Sequence, residues 1–158
     1  MQDLTGRSLP RIEGRTLAGR GFDFPEDLDA GGTLLLVAFR QRQQADVDTW
    51  LPIARRLAAA HPGFAFFEVP LLDRRWMPMR SWIDGGMRAG IPDPAVRATT
   101  LTAYQSRTRF LRALGLAGID HIVSLLVDRD GVIRWSAPGP LQDEDTAADL
   151  EEAVGALM

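Results

Sequence analysis

Asp120, His121 and Ser124 lie close together and supply the residue types of an orienting acid, a base and a nucleophile. Such a set acts only when the nucleophile is within hydrogen-bond reach of the base and a third group orients the base. The surrounding segment, Ile119 to Val127, reads as a strand. Neighbouring side chains on a strand point to opposite faces, so Asp120 and His121 are expected to diverge and no triad is expected. The other histidine, His61, precedes Pro62 in a helix-stop loop, and two histidines this far apart make no metal signature. Asp128-Arg129-Asp130-Gly131 resembles part of a calcium loop but lacks the downstream glutamate; a hairpin turn is the simpler reading. The chain has no cysteine. Thiol–disulfide exchange requires a thiolate attacking sulfur and is therefore excluded by composition. The basic residues are all arginine, which removes Schiff-base chemistry and the P-loop lysine. Neither a cofactor nor a metal is expected, and no catalytic turnover.

Two other constellations could bind rather than catalyse. The turn Arg40 to Asp46 follows an apolar strand and precedes a helix, whose N-terminus favours anions. Arg40 and Arg42 could add charge there for a carboxylate or phosphate; the simpler reading is a solvated turn with Asp46 or Asp48 capping the helix. The second constellation, Arg74 to Met87, carries Trp76, Trp82 and the methionines Met77, Met79 and Met87 beside Arg74, Arg75, Arg80 and Arg88. Methionine is an adaptable contact residue, and aromatics with arginine are enriched at interface hot spots. A partner surface there predicts an exposed apolar patch; the bland alternative is that these side chains pack the segment onto the domain.

The elements that must position these groups follow from pattern. A length of 158 residues suits one domain, and 46% hydrophobic with 25% charged residues suits a globule. A net charge of −3 gives no nucleic-acid footprint. No stretch approaches a membrane span, and Met1 to Pro10 has no apolar core, so no secretory signal and a cytoplasmic location are expected. Residues 1–10 are expected to be a loose lead. Arg11 to Phe24 predicts a hairpin with glycine turns, and Thr33 to Phe39 a strand buried on both faces. Val47, Trp50, Leu51, Ala54 and Leu57 follow helical spacing, with Pro52 expected to kink the helix. His61-Pro62-Gly63 ends it, and Phe64 to Val69 predicts the next strand. An irregular insert at about 71–94 and a helix over Ala95 to Leu114 follow. Ile119 to Val127 then predicts a strand, Asp130-Gly131 a turn into Val132 to Trp135, and Asp143-Glu144-Asp145 the start of a closing helix.

This order specifies an α/β three-layer sandwich with a mixed central sheet, an N-terminal β-hairpin and a helical or irregular insert. The chain resembles the thioredoxin-like superfamily in Ile12 to Leu17, Phe22 to Leu28 and the closing Leu125-Leu126-Val127-Asp128-Arg129-Asp130-Gly131-Val132-Ile133. Counting back from Pro52, the resemblance puts the redox cysteine pair of that superfamily near Gln44 and Val47; counting back from Asp128, it puts the cis-proline near Ile122. Both hallmarks are absent. Arg40, Arg42, Gln43, Gln44, Val47 and Ile122 thus form a vestigial active-site region. A narrower resemblance is to the mitochondrial ATP synthase assembly-factor-ten family, through Trp50-Leu51-Pro52, the Arg74 to Met87 insert, Tyr104 and Val132-Ile133-Arg134-Trp135-Ser136-Ala137-Pro138-Gly139. It implies a chaperone without turnover and a membrane-embedded client. The expected function is recognition of a polypeptide partner by Arg74, Arg75, Trp76, Met79, Trp82 and Met87. The alternatives are a small-ligand or anion site in the vestigial pocket and, with least support, an enzyme that needs no thiol.

Overall fold

A computed structural model describes residues 3–158. Three apolar runs build the middle of a seven-stranded sheet. Strand β3 (Gly32–Ala38) is buried at every residue and is flanked by β4 (Phe64–Leu72), parallel to it, and β6 (Val123–Asp128), antiparallel to it. The period-2 geometry of a strand sends Leu35 and Val37 to one face and Leu34, Leu36 and Ala38 to the other. Two cores result, one on each face of the sheet, and this accounts for a strand apolar at every position.

The face of Leu34 and Leu36 is covered by three helices. Gln44–Asp48 forms α1, Leu51–Ala60 forms α2 and the closing Glu144–Leu157 forms α6. The expected single kinked helix is instead two helices, divided at Thr49-Trp50. Pro52 lies in the first turn of α2, where its missing N–H has no intrahelical partner to lose. Asp143 caps α6 by accepting the Thr146 N–H at 2.7 Å.

The other face is covered by Phe110 and Leu114 of α5 (Arg107–Leu114) and by the N-terminal segment. That segment departs from the expected loose lead. Leu4 and Leu9 are buried, and Gly6 and Leu9 donate backbone hydrogen bonds at 2.8 Å to Ile133 and Gly131. Two leucines with a place in the core outweigh the entropy of ordering a short lead.

The hairpin of β1 (Ile12–Thr16) and β2 (Gly21–Phe24) forms as its glycines suggest. It joins the sheet through a strand absent from the sequence reading. Residues 95–114, expected to be one helix, form α4 (Pro94–Thr99), β5 (Leu101–Tyr104) and α5. All four residues of β5 are buried, and β5 fills the gap between β1 and β4; with the closing strand Ile133–Pro138 as β7, the order is β2-β1-β5-β4-β3-β6-β7. Vacant hydrogen-bonding edges on both sides override local helical spacing here.

Two boundaries also move. Strand β6 begins at Val123 rather than Ile119, leaving Asp120 and His121 in the preceding loop, and β7 spans Ile133–Pro138. Strand β4 extends to Leu72, so the insert begins at Asp73. It holds a 3-10 segment, Arg74–Met79, and α3 (Arg80–Gly90). At the closing turn Asp128 accepts from Asp130 N–H and Val132 N–H at 2.9 Å, and from the Arg134 guanidinium. These donors satisfy the aspartate within the hairpin turn.

Candidate functional site

The turn after β3 is occupied by its own side chains. Gln43 is almost fully buried; its Oε1 accepts from the backbone N–H of Phe39 at 2.8 Å and of Arg40 at 3.2 Å. Its Nε2 donates to the Ile119 carbonyl at 2.6 Å. Val47 points into the core, where it packs in the cluster that also holds Trp50 and Ile122. Gln44 lies at the surface, and its Nε2 reaches Asp48 Oδ1 at 2.9 Å and Glu68 Oε1 at 3.0 Å. Arg40 lies 3.7 Å from Asp120, and Arg42 is exposed. The structure therefore brings Arg40, Gln43 and the loop before β6 together, but gives Val47 and Ile122 to the core.

Glu68 is the least expected member of this region. It sits on β4 beneath Gln44 and is nearly buried. Burial pushes its carboxyl above the ordinary range and nearby Asp48 adds to the rise, opposed by the Gln44 hydrogen bond and by Arg55. A glutamate within the apolar run Phe64 to Leu72 was the signal available in the sequence.

Beside the turn lies a cleft of about 600 Å³, lined by residues 115–118 and 120–123 and by the loop of Pro138, Gly139, Pro140 and Gln142. Trp50 holds this loop by donating its indole N–H to the Gly139 carbonyl at 2.9 Å, and Thr49 Oγ1 accepts the Leu141 N–H at 2.8 Å. Asp120 and His121 line the cleft, but Ser124 does not. Ser124 is fully buried on β6, and its hydroxyl has no hydrogen-bond partner among the described residues. The lining thus offers an acid and an imidazole, with no hydroxyl or thiol side chain among its residues. Among the described residues no three or more His, Asp and Glu side chains gather as a metal site would require, and no helix is long and apolar enough to cross a membrane.

The insert presents three of its apolar side chains outward. Trp76 is 45%, Met79 42% and Trp82 76% exposed. Arg74 and Arg75 are exposed, and the Arg75 guanidinium lies 5.5 Å from the Trp76 ring centre, within cation–π range. Met87 is half-buried. The side chains of Met77 and Arg80, also named for this surface, lie outside the described residues. Beneath the surface the polarity reverses. Asp84 is buried and accepts from Tyr104 Oη at 3.0 Å and Thr102 Oγ1 at 3.3 Å, both on β5. A carboxylate facing the sheet and an indole facing water are the inverse of a helix that merely packs onto a domain. The sequence signal for this anchor was an acid at the centre of an otherwise basic and apolar segment.

No family model matches the chain, and no curated protein matches it. Solved structures do. An inferred electron transfer protein from Aquifex aeolicus VF5 is similar at a TM-score of 0.67 and 15% identity, covering 98% of each chain. The thioredoxin domain of a thiol-disulfide oxidoreductase from Bacteroides vulgatus is similar at a TM-score of 0.57 and 19% identity, covering 95% of this chain and 97% of its own. BsSco, a member of the Sco family of cytochrome c oxidase assembly proteins, is similar at a TM-score of 0.64 and 13% identity, covering 98% of each chain. The resemblance to ATP synthase assembly factors gains no support from these likenesses. What they and the sheet order establish is a thioredoxin-like α/β fold, here built from a chain without cysteine.

Proposed function

We propose that this chain is a thioredoxin-fold protein that recognises a polypeptide without catalytic turnover, and that the insert is its contact surface. The observation that carries the reading is the inverted insert: Trp76, Met79 and Trp82 face solvent while Asp84 is buried against β5. Exposed aromatics and methionine beside Arg74 and Arg75, with Met87 half-buried below, match the composition of interface hot spots. The absence of cysteine removes the chemistry of the thiol-disulfide neighbours. BsSco belongs to a family of assembly proteins, which supports assembly of a larger complex as the setting for such recognition. ATP synthase as the particular client is a narrower form of the same proposal and rests on the sequence resemblance alone.

The test is site-specific photo-crosslinking from position 82 in the native cell, with and without Trp76→Ala and Met79→Ala. These side chains are exposed, so the variants retain the fold, which circular dichroism checks. A discrete polypeptide adduct that is lost in the double variant is expected. An adduct pattern indifferent to both substitutions would remove the insert from the function.

The cleft beside Ile122 favours a second reading, a small-ligand site at the vestigial redox position. Its volume of about 600 Å³ lies within the usual range for small-molecule sites. A thermal-shift screen of carboxylates and phosphates at millimolar concentration, repeated on a variant that fills the cleft, Gly118→Trp, probes it. Stabilisation that survives the filled cleft would count against this reading.

A further inference from the structure

A second cavity, of about 470 Å³, lies away from the cleft of Asp120 and His121, between the start of β1, the beginning of the insert and the start of α5. Its lining contains three arginines, Arg11, Arg74 and Arg109, and one acid, Glu13. Arg11 is already matched: it forms a two-pronged contact with Asp23 at 2.8 and 2.9 Å and lies 3.3 Å from Glu13. The acid nearest in sequence to Arg74, Asp73, accepts the Arg75 N–H at 3.1 Å and lies 3.9 Å from Arg107. The guanidinium groups of Arg74 and Arg109 have no ion-pair or hydrogen-bond partner among the described residues, yet both residues line one cavity. The first turn of α5 contains no acid that could offset them. In a chain whose net charge is −3, two uncompensated guanidinium groups around one concavity are a local surplus of positive charge.

The rest of the lining is apolar or already satisfied. Tyr104 and Phe110 are buried aromatic residues of this lining. The Gln105 side chain is committed to the main chain of Arg11 and Glu13 at 2.9 and 3.1 Å. A guanidinium offers a planar fork of donors that matches a carboxylate or phosphate. We infer that this cavity binds a small organic anion, with its carboxylate or phosphate oxygens between Arg74 and Arg109 and its apolar body against Tyr104 and Phe110. The site shares Arg74 with the proposed contact surface but not Trp76, Met79 or Trp82, so it does not depend on polypeptide recognition by those three.

The probes are benzoate, phenyl phosphate, the neutral isostere benzamide and inorganic phosphate, titrated into the whole chain at constant ionic strength. Backbone amide NMR signals of Gln105, Ser106 and Ala113 give the readout. Saturable shifts with benzoate or phenyl phosphate are expected, with a Kd of about 1 mM for a ligand of this size. Arg74→Gln with Arg109→Gln is expected to weaken binding at least tenfold, while Arg129→Gln leaves it unchanged. Should the double variant lose structure, the single variants, each at an exposed position, carry the comparison. Linear shifts without saturation, equal binding of benzamide, or undiminished binding by the variants would each overturn the site. Inorganic phosphate binding as tightly as phenyl phosphate would overturn the apolar half of the assignment. Benzoate and phenyl phosphate binding in different ranks distinguishes a carboxylate ligand from a phosphate ester.

Discussion

Gln43 Nε2 donates to the Ile119 carbonyl across 2.6 Å, tying the turn after β3 to the loop that enters β6. The same side chain accepts two backbone N–H groups, so one buried amide satisfies three main-chain groups. The turn to which the thioredoxin-like resemblance assigns a redox pair is braced here by a neutral amide.

Replacing Gln43 by alanine leaves the Phe39 and Arg40 N–H groups and the Ile119 carbonyl without this partner. A buried group left unsatisfied costs about 1–3 kcal/mol, so a loss of about 2–4 kcal/mol in unfolding free energy is expected. Urea denaturation measures it. A loss below about 1 kcal/mol would show that the brace is dispensable.

Glu68 sets a pH dependence. An unfolded glutamate titrates at about 4.3, and burial holds the folded carboxyl above that value. Between the two values the folded chain binds more protons than the unfolded chain, so stability falls as pH rises through the window. Above the folded value the penalty is fully present. Glu68→Gln keeps an acceptor for Gln44 and removes the charge. It is expected to exceed the parent in stability near neutral pH, with the difference shrinking toward the acid end. Denaturant midpoints of both proteins across the acid-to-neutral range decide it; a constant difference would refute the assignment.

Ser124 buries a hydroxyl with no hydrogen-bond partner among the described residues, on the strand face between Ile122 and Leu126. Burying an uncompensated hydroxyl costs about 1–3 kcal/mol by mutational measures. Ser124→Ala is expected to raise stability by about 1 kcal/mol. A destabilised alanine variant would show that the hydroxyl has a role this packing does not reveal.

The insert is fastened by Tyr104 and Thr102 to Asp84. Tyr104→Phe removes one donor to a buried carboxylate and is expected to loosen the insert more than the sheet. Trypsin should then cut after Arg74, Arg75 or Arg88 several times faster, while global stability falls by only about 1–2 kcal/mol. Equal acceleration at arginines throughout the chain would mean that Asp84 supports the whole domain instead.

Much of the fold is legible in the residues. The runs Leu34 to Val37 and Leu125 to Val127 are apolar at every position, which requires a helix layer on each face of the sheet. The Asp130-Gly131 turn closes because Gly131 adopts φ +81°, and a β-carbon there would meet Pro25 at 2.5 Å. Asp143 caps α6 through a local bond. The candidate sites were less legible. Leu101 to Tyr104 carries helical spacing, and its strand identity comes from β1 and β4, which lie far away in the chain. Gln43 reads as one polar turn residue among several; only the approach of Ile119 makes it a brace.

By itself the sequence determined two things: a layered α/β architecture, because period and turn chemistry are local properties, and the absence of thiol chemistry, because that is composition. Only the tertiary structure decided which polar side chains turn inward and which aromatics stay out. It paired Asp84 with Tyr104, left Trp82 in solvent and set Arg74 beside the same cavity as Arg109. Those outcomes depend on contacts between residues distant in sequence, and no local pattern encodes which surfaces will meet.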